Sequence, residues 1–305
     1  MLSIEDFTPV TYQNKSIIED YFHHYPQCHS ECSIVTILAW EHYSPSFFAE
    51  KNGRLLLCCL DEGAYAFQAP IGEPDPELLT DILRLARDTP GENSVNIYSE
   101  ENLLLMRKHH PLIPVHELRG YFEYYYKTDD LAHLKGKKYL NIRGQINTFK
   151  ARYKYTVEKI TRENMPEVRA MVEQWSESKH CEANAVMREE ITAVNASFDH
   201  WTELPLEGIA VRITEDNKLA AMAVWEMMSD DTAVIHYEKA LGEYPGLYKI
   251  VNMETARELL GKCEWINRES DMNVEGLREA KLRYHPDTFA KAYYIEKEDI
   301  RTACL

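Results

Sequence analysis

An internal repeat is the feature that most limits what this chain can fold into. An apolar stretch at Ala64–Ile71 runs into the turn Gly72-Glu73-Pro74-Asp75-Pro76, and a helical pattern over Asp75–Asp88 follows, with Leu78, Leu79, Ile82, Leu83, Leu85 and Ala86 along one face. The same succession returns later. A β-rich run at Thr232–Ala240 enters Gly242-Glu243-Tyr244-Pro245-Gly246, then a helix carrying Ile250, Val251, Met253, Ala256, Leu259 and Leu260. Both turns open Gly-Glu and contain proline, and 170 residues separate Gly72 from Gly242. After each helix comes a short strand, Ser94–Tyr98 or Glu264–Asn267, then a second helix, Glu101–Lys108 or Glu275–Arg283. Aromatic-rich strands, Gly120–Tyr126 and Phe289–Ile295, are expected to close the two halves. Each half opens with two helices and continues into a hairpin strand, Arg54–Leu60 or Leu219–Met227.

A period this long exceeds the ~20–50 residues of solenoid repeats, so it marks a duplicated domain. The length of 305 residues suits two domains of about 150 each. The expected class is α+β, with a mixed, mostly antiparallel sheet flanked by helices in each half. The expected boundaries are 1–134 for the first domain, 135–155 for a connector and 156–305 for the second. With 45% hydrophobic and 11% aromatic residues, the chain has enough apolar surface to fold. No stretch approaches the ~20 apolar residues of a membrane-spanning helix, and the opening Met1-Leu2-Ser3-Ile4-Glu5-Asp6 lacks a basic, then apolar, leader. Seven irregularly spaced cysteines do not form a disulfide framework, and a cytoplasmic location is expected.

A net charge of −16 opposes binding to DNA or to an anionic membrane. One segment breaks the trend: Lys135, Lys137, Lys138, Arg143, Lys150, Arg152 and Lys154 occur with no acidic residue among them. Such a stretch suits either a connector between acidic neighbours or a seat for a phosphate-bearing ligand. His23, His24, Cys28, His29 and Cys32 match no common zinc spacing, and no metal is expected. Dinucleotide, nucleotide and common hydrolase motifs are also missing from the sequence.

Four stretches carry a family likeness: Tyr124 to Lys138; Ile146-Asn147-Thr148-Phe149; His236-Tyr237-Glu238-Lys239-Ala240; and Ile266-Asn267-Arg268-Glu269-Ser270-Asp271 followed by Gly276 to Pro286. Together they resemble the C-terminal domain family of phosphatidylglycerol lysyltransferases, a tandem-GNAT group related to Fem-type aminoacyltransferases. The resemblance implies two tandem GNAT-like domains, in each of which the fourth strand leads to a helix whose N-terminus faces the donor. It covers most of the chain and is strongest after Asp231. Where the family usually has Arg-Asn before Ile-Asn-x-Phe, this chain has Arg143-Gly144-Gln145.

Strand alternation puts His236 and Glu238 on one face of Thr232–Ala240, with Tyr237 and Lys239 on the other. A histidine and a carboxylate so placed can take up the proton released when an amine attacks a carbonyl, which makes them the candidate catalytic pair. Asn267, Arg268 and Glu269 leave a strand for a loop, and Arg278, Lys281, Tyr284 and His285 follow on or just after the next helix. They are the candidate substrate contacts, with an ion-pair lattice as the competing role. Gly242 and Gly246 at a helix N-terminus, with Lys137, Lys138, Arg143 and Asn147, are the candidate donor-phosphate contacts. Glu243 in that turn repels a pyrophosphate.

The expected activity is transfer of an acyl or aminoacyl group to an amine or hydroxyl. An aminoacyl-tRNA donor fits the basic stretch, where Tyr139, Phe149, Tyr153 and Tyr155 interleave rings with charges. Acyl-CoA is the alternative donor, and a non-catalytic ligand-binding scaffold is the alternative function.

Overall fold

The computed structural model describes residues 2–303 and 305, which form two compact units. The first half supplies β1 (Thr8–Pro9), α1 (Lys15–His24), α2 (Ile34–Ala39), β2 (Ser46–Lys51), β3 (Arg54–Asp61), β4 (Ala64–Gln68), α3 (Pro76–Asp88), β5 (Ser94–Ile97), α4 (Glu100–His109) and β6 (His116–Glu117). Next come β7 (Glu123–Lys127), α5 (Thr128–His133) and α6 (Leu140–Arg152). The second half adds β8 (Tyr155–Lys159), α7 (Met165–Ser178), α8 (Ala185–Asp199), β9 (Leu206–Ile213), β10 (Lys218–Met227), β11 (Thr232–Ala240), α9 (Leu247–Leu259) and β12 (Trp265–Asn267). The chain ends with α10 (Glu275–Leu282), β13 (Thr288–Ala290), β14 (Tyr293–Glu296) and α11 (Lys297–Thr302).

The first sheet has the order β1-β2-β3-β4-β5-β14-β6 and the second β13-β7-β12-β11-β10-β9-β8. Each is an antiparallel meander that gains one parallel pair, β4 with β5 and β11 with β12, because α3 or α9 carries the chain back across the sheet. The duplication seen in the sequence is thus repeated in the topology.

The closing strands differ from expectation. The sequence pattern places each in its own half, but β14 pairs antiparallel with β5 in the first sheet, and β7 pairs antiparallel with β12 in the second. Both strands are short and rich in tyrosine, so local pattern does not say which sheet accepts them. The compact units shift accordingly. The first comprises Met1–Glu123, Ser270–Val274 and Ala290–Leu305, and the second comprises Tyr124–Glu269 and Glu275–Phe289. Residues 135–155, expected as a connector, fold within the second unit, where α5 and α6 pack on α9.

In the first unit, α3 presents the expected apolar face: Leu78, Leu79, Ile82, Leu83 and Ala86 are buried together with Val95, Ile97 and Ile295. Its start is fixed by the Asp75 side chain, which accepts from Leu78 N at 3.0 Å, and by Pro76 in the first turn. His29 and Ser30 close on the buried Glu123: the Ser30 backbone N donates to its carboxylate at 2.9 Å, and His29 stacks on Tyr98. Among the described residues no group of three or more His, Cys, Asp or Glu side chains is arranged to hold a metal ion.

In the second unit, Leu219 to Trp225 of β10 are all buried, because α7 and α9 both pack on this central strand. No described helix is long and apolar enough to cross a membrane.

The pairing of β14 predicts the effect of Ile295→Ala. We expect a loss of about 2–4 kcal/mol, as for other buried large-to-small changes. Hydrogen exchange should show lost amide protection at Val95, its cross-strand partner, and at neighbouring Ile97. Lost protection in β12 instead would mean that β14 belongs to the second sheet.

Candidate functional site

The site grows out of a split in the second sheet. β11 pairs with β12 only through Thr232, Ala233 and Val234, opposite Trp265, Ile266 and Asn267. β11 then continues to Ala240 without β12, which turns away at Arg268 and Glu269. Period-2 alternation places the side chains of β11 as expected. Tyr237 and Lys239 point to the face covered by α7 and α8, where the Tyr237 hydroxyl lies 3.0 Å from Ser197 Oγ and Lys239 pairs with Glu190 over the Trp175 ring. His236 and Glu238 point to the other face.

Two ion pairs bridge the split on that second face. Arg268 Nη2 donates to Glu238 Oε1 at 3.1 Å, and Asn252 Nδ2 on α9 donates to the other oxygen of Glu238 at 3.1 Å. His236 lies between two carboxylates, with Nδ1 2.9 Å from Glu269 Oε1 and Nε2 3.1 Å from Glu226 Oε1. Burial by itself lowers the His236 pKa, but the hydrogen bonds and charges of Glu226 and Glu269 outweigh it and hold the pKa at about 10. His236 is therefore an imidazolium at neutral pH. With both ring nitrogens donating, it has no lone pair for an incoming proton, so of the two candidates for catalytic base only Glu238 has lone pairs free.

Arg268 also packs on aromatic rings, 5.9 Å from the Tyr126 centroid and 4.9 Å from that of Tyr284. The Lys281 ammonium donates to the backbone carbonyls of Arg268 and Glu269 and lies over the Tyr124 ring. It anchors the turn after β12. Glu269 has a positive φ of 55°, an uncommon backbone state for a non-glycine residue, in the turn held by His236 and Lys281. Asn267 is fully buried and accepts from Glu269 N at 2.8 Å, which helps to shape the same turn.

Of the substrate contacts expected from sequence, Asn267, Arg268, Glu269, Lys281 and Tyr284 thus gather around His236 and Glu238. His285 does not face Glu238; its ring meets Tyr139 and the Lys138 carbonyl. Arg278 lies half-buried on α10. Four residues that sequence reasoning missed belong here: Glu226, Tyr126, Lys249 and Asn252. Glu226 carried a signal, as the one carboxylate in the otherwise apolar run from Leu219 to Met227.

The expected donor-phosphate contacts are arranged differently. A side chain at Gly246, where φ is +97°, would come within 3.0 Å of the Gln145 carbonyl and 3.2 Å of Phe149, so α6 lies against the start of α9. The backbone N–H groups of Leu247 and Lys249, which an anion at this helix start would use, already donate to the carbonyls of Tyr244 at 3.0 Å and Gly246 at 2.9 Å. Glu243 in the same loop pairs with Lys218 at 2.8 Å, and Gly242 is exposed. Arg143 donates to the carbonyls of Leu134 and Gly136, capping the end of α5, and Lys138 pairs with Asp130 at 2.7 Å. Lys137 and Asn147 are exposed.

The doubled sheet, each half with a parallel pair where a helix crosses, is the fold of tandem GNAT and Fem-type proteins. Residues 22–296 match the family described as phosphatidylglycerol lysyltransferase, C-terminal, and the chain belongs to that family. Among solved structures, a conserved protein of unknown function from Bacteroides thetaiotaomicron aligns with a TM-score of 0.88 at 24% identity, covering 95% of this chain and 98% of the other. The C-terminal domain of a putative lysylphosphatidylglycerol synthetase from Agrobacterium fabrum aligns with a TM-score of 0.66 at 14% identity, covering 96% and 94%. FemX aligns with a TM-score of 0.55 at 10% identity, covering 97% and 98%. No protein of curated function matches the sequence. Family and fold together support a transferase of the aminoacyl or acyl type.

The state of His236 gives a pH dependence. Folding raises its pKa from 6.5 to about 10, so the native chain holds a proton that the unfolded chain has released. Its stabilising contribution is complete below pH 6.5 and is lost as pH rises through about 10. Denaturation midpoints should therefore fall across this window, by at most ~1.4 kcal/mol per pH unit from this group. His236→Gln should flatten the slope. An equal slope in the variant would place the titrating group elsewhere.

Proposed function

We propose that the chain transfers an acyl or aminoacyl group to an amine or hydroxyl acceptor, with the chemistry at Glu238 in the second unit. The observation that supports this most directly is the state of Glu238. Its carboxylate accepts from Arg268 and Asn252, is 12% exposed, and stands where β11 parts from β12. Each carboxylate oxygen keeps a second lone pair, so Glu238 can take a proton while these two bonds persist.

Attack by the acceptor forms a bond from its nitrogen or oxygen to the donor's carbonyl carbon. The N–H or O–H proton passes to Glu238, and the bond from that carbon to the leaving oxygen or sulfur then breaks. The proton returns to the leaving group, so nothing is oxidised or reduced. His236, already protonated, positions Glu269 and the turn that carries Arg268.

For the donor we favour an aminoacyl-tRNA acting in the cytoplasm. The Leu247 and Lys249 N–H groups, already donating to Tyr244 and Gly246, argue against a pyrophosphate at the start of α9, as an acyl-CoA would place it. The exposed Lys137, Lys150, Arg152 and Lys154 offer an RNA backbone a cationic strip. Acyl-CoA remains the competing donor.

Purified protein offered charged tRNA, acyl-CoA and pooled amine and hydroxyl acceptors should yield a new amide or ester. Glu238→Gln should lower its rate by about a hundredfold or more, in line with removal of a proton acceptor. Binding of tRNA should weaken steeply with salt, and binding of CoA should not. Absence of any product, alongside a ligand-dependent rise in melting temperature, would favour a non-catalytic binding protein.

A further inference from the structure

The end of β8, the start of β9 and the end of β10 border a cavity of about 180 Å³ that shares no residue with the site around Glu238. Its walls are two indoles, Trp201 and Trp225, with Leu206 and Ile160. Gly208 lets these walls come together. A Cβ there would lie 2.8 Å from both the Ala223 carbonyl oxygen and Ile160 Cδ1, and 3.1 Å from Trp201 Cη2, so a larger residue would push Trp201 off the strand. Trp201 also packs on Phe198, with ring centroids 6.2 Å apart. Charges at the rim cancel: Lys159 pairs with Glu258 at 3.4 Å, and Lys262 reaches Glu258 and Glu207, each at 3.2 Å. One polar atom is left over. Trp225 is 1% exposed, and its Nε1, which can only donate, is buried without a hydrogen-bond partner. Such a group costs free energy, and a native structure that keeps one calls for an explanation. A register shift between Val224 and Trp225 marks a β-bulge in β10 at this point, a device that re-aims a side chain.

We infer that this cavity binds a small neutral aromatic molecule carrying a ketone, ester or ether oxygen, and that this oxygen accepts from Trp225 Nε1. Two indole walls favour a flat ring over a branched chain, because aromatic groups gain from stacked and edge-to-face contact beyond the area they bury. An apolar cavity of ~150 Å³ takes up benzene, so this one has room for a ring and a short substituent. The orphan donor asks for an acceptor. Among the described residues, no buried side-chain acceptor lining the cavity lacks a partner, so a hydroxyl or an N–H on the ligand would gain nothing there. The rim charges are already paired, and an anion would meet Glu207 and Glu258, so the ligand is uncharged. Trp225 precedes Glu226, whose carboxylate lies 3.1 Å from His236 Nε2, which puts the ligand one residue from a group that keeps His236 charged. The inference does not depend on the chemistry at Glu238.

Titration of the full chain with acetophenone, ethylbenzene and benzoate, followed by the indole N–H resonances of its five tryptophans in a ¹⁵N-labelled sample, tests it. Acetophenone should bind and carry the Trp225 N–H downfield of its position with ethylbenzene, a ring of similar shape that lacks the acceptor. Benzoate should bind about tenfold or more weakly than acetophenone, because its charge has no free partner at the rim. Leu206→Trp, which fills the cavity, should weaken acetophenone by about tenfold or more, and Ile160→Phe does the same task should Leu206→Trp fail to fold. Four results overturn the inference: no binding of acetophenone; binding that leaves the Trp225 N–H where ethylbenzene leaves it; binding unchanged in the filled variant; or a Trp225 N–H already at a hydrogen-bonded position in the ligand-free protein, which would show that water supplies the acceptor.

Discussion

The second unit depends on two crossed ion pairs that span the place where β11 and β12 separate. β11 contributes a cation at His236 and an anion at Glu238, and the turn after β12 answers with an anion at Glu269 and a cation at Arg268. A parallel pair that stops after three residues leaves backbone groups without ladder partners and opens a wedge in the sheet. Side chains reach across that wedge. Because the signs alternate on both strands, a shift of register would oppose like charges, so the pairs fix the position of the turn as well as holding it.

Buried ion pairs are weak sources of stability, since desolvation offsets most of their attraction. Their value here lies in geometry. Glu226 adds a second carboxylate to His236, which keeps the ring charged and both its nitrogens occupied. Lys281 draws two backbone carbonyls toward itself, and Glu269 is held with positive φ between these contacts. Arg268 thereby receives one carboxylate and two aromatic rings, and one of its nitrogens still lacks a partner. A side chain fixed in this way has lost its conformational freedom before any ligand arrives, which is how a site lowers the entropy cost of binding.

Much of this was legible in the sequence. The facing of His236 and Glu238 follows from strand period, and the clustering of Asn267, Arg268 and Glu269 follows from a strand that ends in polar residues. What escaped was the charge state of His236, because it is set by Glu226 and Glu269, ten and thirty-three positions away along the chain. Lys249 and Asn252 escaped for a similar reason. They lie three apart on α9 amid the apolar Ile250, Val251 and Met253, and one-dimensional periodicity does not single out polar residues on the flank of such a stripe. The basic stretch divides in the structure: Arg143 and Lys138 are held at the α5 segment by the Leu134 and Gly136 carbonyls and by Asp130, and Lys137, Lys150, Arg152 and Lys154 stay exposed, a division that charge counting along the chain does not reveal.

The sequence alone determined that the chain is a duplicated α+β fold, because hydrophobic period and turn chemistry are local properties that survive without neighbours. It also determined which face of β11 carries the acid and the histidine. Only the tertiary structure decided that β7 joins the second sheet and β14 the first, since strand pairing is a long-range choice among short segments of similar composition. The same structure decided that His236 is a cation, that α6 packs against Gly246 before α9 and that Arg268 retains an unpaired donor, because charge state, packing and hydrogen-bond satisfaction depend on groups brought together by folding.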